Sequence, residues 1–215
     1  MSSAIHIARG LGITAVIVTY AVLVHHVNTS DAGSILGAIL ALAPILLIVA
    51  TFAWNAQSRL IGISTLLIVG IASWLAWPFI RQHTALVFWL QDVGLMAVLL
   101  ATFGRTLQQG HKPLCVHFAE IINNGTLPPE HIRYAHRVTV AWVVFFAMII
   151  VTSSLLFFLA SLATWSFFVN FLTLPLVALM FIIEFLVRRR VLTDLPTGGI
   201  LDAVRAYKNH SVRVH

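Results

Sequence analysis

The sequence predicts an all-α polytopic membrane protein with six transmembrane helices, and three observations predict it. Hydrophobic residues make up 60% of the 215, and charged residues only 9%, against roughly 25% charged in soluble domains. The apolar residues gather into stretches of about 20, the length an α-helix needs to cross about 30 Å of hydrocarbon. Twelve of the thirteen Lys and Arg residues fall on one side of those stretches, and basic loops stay cytoplasmic.

The spans are predicted at about 7–25, 34–54, 60–79, 85–103, 138–160 and 164–187. Short apolar runs without alternation satisfy their backbone in lipid only as helices. The first run is long for a signal-peptide core and no A-x-A-like site follows it, so it reads as a retained span. Loops one, three and five are short; they hold His25, His26 and Asp31, then Arg81 and His83. The opposite side holds Arg9 and Arg59, then Arg105, Lys112, Arg133 and Arg137 in the fourth loop. It also holds Arg188, Arg189, Arg190, Arg205, Lys208 and Arg213 beyond the sixth span. Both termini are therefore expected in the cytoplasm. Each such cation gains about 1 kcal/mol near an anionic leaflet. The formal charge of +6 thus reads as adhesion to membrane lipid, and no nucleic-acid partner is expected. The tryptophans fall mostly near span ends, as in an aromatic belt. Pro44 and Pro175 lie inside spans two and six, where each removes a backbone donor and is expected to kink its helix.

Residues 1–192 form one predicted transmembrane domain, followed by a basic cytoplasmic tail at 193–215. The one long loop is 104–137. Within it, an amphipathic interfacial helix is predicted at about 113–124, opened by Pro113. Leu114, Phe118, Ile121 and Ile122 fall on its apolar face, His117, Glu120 and Asn124 on the other. Pro128-Pro129 opens the next helix, which continues through Glu130, Arg133 and Arg137 into span five.

That loop holds the first group of candidate residues. Glu130, Arg133, Tyr134 and Arg137 share one helical face by their spacing. Arg105, Arg133, Tyr134 and Arg137 are candidates for binding a phosphate or carboxylate, as on a lipid headgroup or an acyl carrier. His117, Glu120 and Glu130 are the acid–base candidates; a His–Glu pair suits a general base and its orienter. A solvated basic rim with intrahelical ion pairs explains the same residues. Among intramembrane polar groups, Asp92 reads as a proton, cation or substrate site, or as a structural pin between helices. Its natural partners are Arg81 or polar groups such as Thr14, Thr19 and Tyr20. Glu184 stands one turn before Arg188 and reads as half of an i,i+4 pair. Asn170 and Ser166 read as interhelical glue if Trp165 anchors the outer edge. The ten histidines form no H-E-x-x-H or comparable array, so no metal site and no cofactor is expected. Cys115 is the single cysteine. It excludes an internal disulfide and reads as a small hydrophobe despite Lys112 and His111 nearby.

One resemblance extends this reading. The run Phe103-Gly104-Arg105-Thr106-Leu107, Gly110, Pro113-Leu114, Phe118-Ala119, Pro129-Glu130, Arg133-Tyr134, Arg137-Val138-Thr139 and Trp142 continues through Phe145-Phe146 and Ser153. It goes on through Trp165-Ser166, Phe168, Asn170, Pro175-Leu176, Met180-Phe181, Glu184 and Arg188. Over about residues 90–190 this resembles a family of inner-membrane proteins of Gram-negative bacteria. Their genes lie in clusters for aryl-polyene (xanthomonadin-type) pigments and related fatty-acid-like synthesis. The resemblance implies residence in the bacterial inner (plasma) membrane and a supporting role in making, holding or exporting a lipid-like acyl product. Acyl-chain biosynthesis enzymes or an acyl-carrier protein are the implied partners, and an oligomer is compatible. The first expectation is a non-enzymatic accessory protein. The alternatives are a membrane-embedded enzyme acting on a lipid-linked acyl or headgroup substrate, and a small transporter or flippase using Asp92.

Overall fold

A computed structural model of the chain describes residues 2–29, 35–108, 110–123 and 127–192, with side chains from Gly10 onward. Asp31, Asn124, the side chain of Arg9 and the basic tail at 193–215 lie outside the described residues. Within them the chain is helical and contains no strand. In chain order the elements are α1 (Ser2–Thr29), α2 (Ile35–Trp54), α3 (Arg59–Gln82), α4 (Thr84–Arg105), α5 (Leu114–Ile122) and α6 (Pro129–Leu159). Then come α7 (Leu162–Phe167), a π-helical turn (Phe168–Leu172) and α8 (Thr173–Val191). Six helices are long and apolar enough to cross a membrane, counting Leu162–Val191 as one. This is the architecture of a multi-pass membrane protein.

Local chemistry sets the element ends. Ser58 caps α3, its Oγ accepting from the Leu60 N–H at 3.3 Å. Four residues on, α2 and α3 approach so closely that a Cβ built on Gly62 would lie 2.6 Å from the Ala53 carbonyl oxygen. Only glycine permits that approach. Loop three shrinks to His83: its N–H donates to the Phe79 carbonyl at 3.0 Å and its carbonyl accepts from Val87 N–H at 3.1 Å. Hydropathy marks the apolar part of a helix, but hydrogen bonding sets its end, so Arg81 and Gln82 belong to α3. Pro128 launches α6, its carbonyl accepting from His131 N–H at 3.0 Å and Ile132 N–H at 3.2 Å. Pro129 occupies the first helical position, where its missing N–H leaves no intrahelical bond unmade. The last span carries its π turn just before Pro175. There the Thr173 hydroxyl and N–H both reach back five residues to the Phe168 carbonyl.

The described residues divide into two compact units, those within 1–92 and 153–173, and those within 93–152 and 174–192. The core of the first joins Val24, Ala38, Ala41, Leu42, Ile80, Phe88 and Trp165. Small residues at Ala38 and Ala41 let backbones come close, as in membrane helix packing generally. Polar pins lock this packing. Pro44 has no N–H to give the Leu40 carbonyl four residues earlier; the Tyr20 hydroxyl donates to that carbonyl instead, at 3.2 Å. Gln91 Nε2 donates to the next carbonyl, Ala41. The second unit centres on aromatics: Trp142 packs on Phe181 (centroids 4.7 Å apart) and Phe146 (5.4 Å), with Phe103 against Phe146 (5.3 Å).

The tryptophans correct one expectation. Trp54 and Trp74 are 90% and 76% exposed, but Trp165 and Trp142 are 1% and 5% exposed. Trp165 does not anchor an outer edge; its indole N–H has a buried acceptor, so the ring is stable inside the protein.

Two outcomes follow from this packing. Tyr20→Phe is expected to lower stability by about 0.6–1.7 kcal/mol, and by less in a Pro44→Ala background, where residue 44 regains its N–H. Equilibrium unfolding in mixed micelles reads both. Gly62→Ala is expected to destabilise by about 1–3 kcal/mol, since backbone must shift. Gly70→Ala in the same helix, with nothing within 4 Å of its added methyl, is expected to be neutral or mildly stabilising.

Candidate functional site

Three polar assemblies occur among the described residues, two in the first unit and one in the second. The first is a chain of donors. Trp165 Nε1 donates to Ser153 Oγ at 3.1 Å, and Ser153 Oγ donates to Asp92 Oδ2 at 2.6 Å. Asp92 is thus held by Ser153, not by Arg81, which is exposed. Nor is it held by Thr14 or Tyr20, whose hydroxyls bond the Gly10 and Leu40 carbonyls. Ser153 is fully buried, so its hydroxyl fills both roles without water.

The second assembly centres on Ser166, also fully buried. Asn28 Nδ2 and Asn170 Nδ2 both donate to its Oγ, at 3.4 and 3.1 Å. A hydroxyl has two acceptor sites and one proton. With both acceptor sites filled, the proton must go to His25 Nδ1, 3.2 Å away. The network therefore assigns His25 as the Nε2–H tautomer. His25 and Asn28 are one helical turn apart on α1, and Asn170 lies in the π turn. Asn170 meets Ser166 within the last span, while His25 and Asn28 tie Ser166 to α1, a pairing that no local pattern of residues signals.

The third assembly is a cavity of about 210 Å³ in the second unit. Helix α5 lines it with Cys115, Ala119 and Ile122, followed by its C-cap Asn123. Helix α6 contributes His131, Tyr134, Ala135, Val138 and Trp142, and α8 contributes Phe181, Glu184 and Arg188. The α6 set follows i, i+3, i+4, i+7, i+11, one helical stripe. It lies next to the stripe of Glu130, Arg133, Tyr134 and Arg137 that the sequence suggested, and Tyr134 belongs to both. Tyr134 donates its hydroxyl proton to the Glu184 carbonyl at 3.1 Å. Arg188 Nε stands 3.6 Å from Glu184 Oε1, an ion pair too long for a hydrogen bond. Arg188 Nε and both ring nitrogens of His131 are buried without a hydrogen-bond partner.

Helix α5 is positioned by its neighbours. Pro113 offers its first turn no side-chain cap. Two threonines from elsewhere accept instead: Thr106 Oγ1 from Leu114 N–H at 3.0 Å, and Thr139 Oγ1 from Cys115 N–H at 3.2 Å. Gly110, at φ 87°, makes the left-handed turn that brings the chain round to α5. The buried face of α5 centres on Val116, 2% exposed, whereas Phe118 is 45% exposed. Of the apolar face expected at Leu114, Phe118, Ile121 and Ile122, only Phe118 is exposed; the other three are half-buried.

The remaining candidates are dispersed. Glu120 accepts from Lys112 Nζ at 3.0 and 3.1 Å, so its carboxylate pairs with Lys112. His117 is exposed and its ring faces Phe118. Glu130 is exposed in the first turn of α6, where a negative charge suits the helix dipole. Arg105, Arg133 and Arg137 are exposed and form no salt bridge among the described residues. Burial pushes the Cys115 thiol above its ordinary pKa; a Thr139 hydrogen bond opposes this, and the Glu184 charge adds to it. A thiol held protonated is a weak nucleophile. Among the described residues no three His, Cys, Asp or Glu side chains gather closely enough to hold a metal ion. Sequence reasoning passed over His131, Arg188 and Cys115 as cavity residues. The available signal was the α6 stripe of small and apolar residues ending in one histidine.

Comparison with protein-family models, with curated proteins and with solved structures gives no match to this chain.

The α5 cap supplies a test. Thr139→Val keeps the shape but leaves the Cys115 N–H without its acceptor, a loss of about 1–3 kcal/mol. Amide hydrogen exchange across Leu114–Ile122 is expected to accelerate accordingly, and Thr139→Ser to restore protection.

Proposed function

We propose that this chain is an integral accessory protein of the bacterial inner membrane, with both termini and the basic α4–α6 connection in the cytoplasm. It supports the synthesis, anchoring or export of a lipid-like acyl or aryl-polyene product by holding anionic partners at the membrane surface. The observation that carries this reading is the state of Arg105, Arg133 and Arg137. All three are exposed and unpaired among the described residues. Each guanidinium keeps its full donor fork for a lipid phosphate, an acyl-carrier protein or an acidic face of an acyl-chain enzyme. The run of residues resembling the pigment-cluster proteins supports the class of product.

The acid–base candidates favour binding over catalysis. Glu120 pairs with Lys112, while His117 and Glu130 are exposed and form no salt bridge among the described residues. A membrane enzyme is the second reading, favoured by the cavity that places His131, Tyr134 and Glu184 around one space. A transporter draws no support from Asp92, whose carboxylate is tied to Ser153.

Native mass spectrometry from lipid nanodiscs tests the arginines. The wild-type chain is expected to retain phosphatidylglycerol over phosphatidylcholine. That preference should fall about fivefold for each of Arg105→Gln, Arg133→Gln and Arg137→Gln, from about 1 kcal/mol per charge. An unchanged preference in the triple variant would sink the anion-binding role. In producing cells, an unaltered product after deletion of the chain would remove the supporting role.

A further inference from the structure

We infer that the cavity of the second unit binds the singly charged oxyanion head of an acyl amphiphile. The inference stands apart from the arginine reading, because Arg105, Arg133 and Arg137 do not line the cavity. It begins with unmet hydrogen-bonding capacity. Both ring nitrogens of His131 and the Nε of Arg188 are buried without a hydrogen-bond partner, Arg188 having only the longer ion pair with Glu184, and both side chains line the same space. A buried polar atom left unsatisfied costs about 1–3 kcal/mol, so three such atoms on two residues that line one cavity point to a ligand that restores what folding removed. An arginine N–H can only donate, and a neutral imidazole always carries one donor. Oxygen acceptors on the ligand are therefore required.

The neighbouring charge narrows the head further. Glu184 lies 3.6 Å from Arg188 and tempers its field, so a dianion would meet repulsion that a monoanion largely escapes. A carboxylate or a lipid phosphodiester fits; a phosphate monoester fits poorly. The rest of the wall is apolar and aromatic, with Val138, Trp142 and Phe181. This is the pairing of a few polar groups with a hydrophobic lining that small-molecule sites show. At about 210 Å³ the space exceeds the cavity of about 150 Å³ that takes up benzene. It accepts a head group with the first part of a chain.

Cys115 lines the cavity and is the only cysteine in the chain, so it reports occupancy without engineering. The experiment follows its alkylation by N-ethylmaleimide in nanodiscs, with dodecanoate, lysophosphatidylglycerol or dodecanol added. An anion at ten times its Kd is expected to slow the reaction about tenfold. Dodecanol should not slow it, and Arg188→Gln should abolish the effect. Protection by dodecanoate points to a free carboxylate head, and by the lysolipid to a phosphodiester; either supports the site. A Cys115→Ser, Gln108→Cys chain carries an exposed thiol and should show no protection, which separates occupancy from a change in surface charge. The triple arginine variant should keep full protection, so this site and the arginine reading can fail independently. Absence of protection by both anions, or equal protection by dodecanol, would overturn the inference. The comparison of anions with dodecanol uses the unmodified chain and does not depend on any variant folding.

Discussion

A carbonyl that has lost its donor inside a membrane must find another, and the Tyr20 hydrogen bond to Leu40 answers that need. Lipid offers no water to compensate a free backbone group, so Pro44 is tolerated only with such a partner nearby. The same constraint governs Ser153 and Ser166. Each is fully buried, and each serves as a shared acceptor and donor between elements distant in sequence. Specific hydroxyls, rather than bulk apolar contact, select which helices of the first unit meet. Apolar contact alone is a weak discriminator where the surrounding lipid is equally apolar.

In the second unit the constraint moves to the end of a short helix. Nine-residue α5 is too short to persist on propensity, and its first N–H groups depend on Thr106 and Thr139. Because Thr139 belongs to α6, the cap joins the connecting segment to a membrane-spanning helix. That junction sets Cys115 and Ala119 against the cavity. The loop is thereby a structural part of the site and more than a surface for adhesion.

Much of this fold was legible in the sequence, because length and hydropathy report directly on the membrane. The spans, the opening of α6 at Pro128-Pro129 and the existence of α5 all follow from local rules. What local rules missed was pairing across the chain. The sequence showed Glu120 three residues from His117, and the structure gives it to Lys112 instead. It showed arginines on one stripe of α6, and the cavity lies on the next, where only Tyr134 is shared. Trp165 was expected at an interface because it opens a span; its acceptor, Ser153, lies across a helix turn that no pattern of single residues reveals. The partner of His25 is likewise 141 positions away.

The lengths of the last two spans carry a consequence of their own. Helix α6 has 31 residues, and Leu162–Val191 has 30. At about 1.5 Å per residue each reaches about 45 Å, well beyond a hydrocarbon layer about 30 Å thick. The surplus must tilt or overhang into the headgroup zone. His131 stands in the first turn of α6 and Arg188 in the last turn of α8, so an overhang at those ends would carry both. Trp142 and Phe181, two to three turns further along the same helices, would then lie at acyl-chain depth. An amphiphile lodged between them would keep its own layering, head with heads and chain with chains.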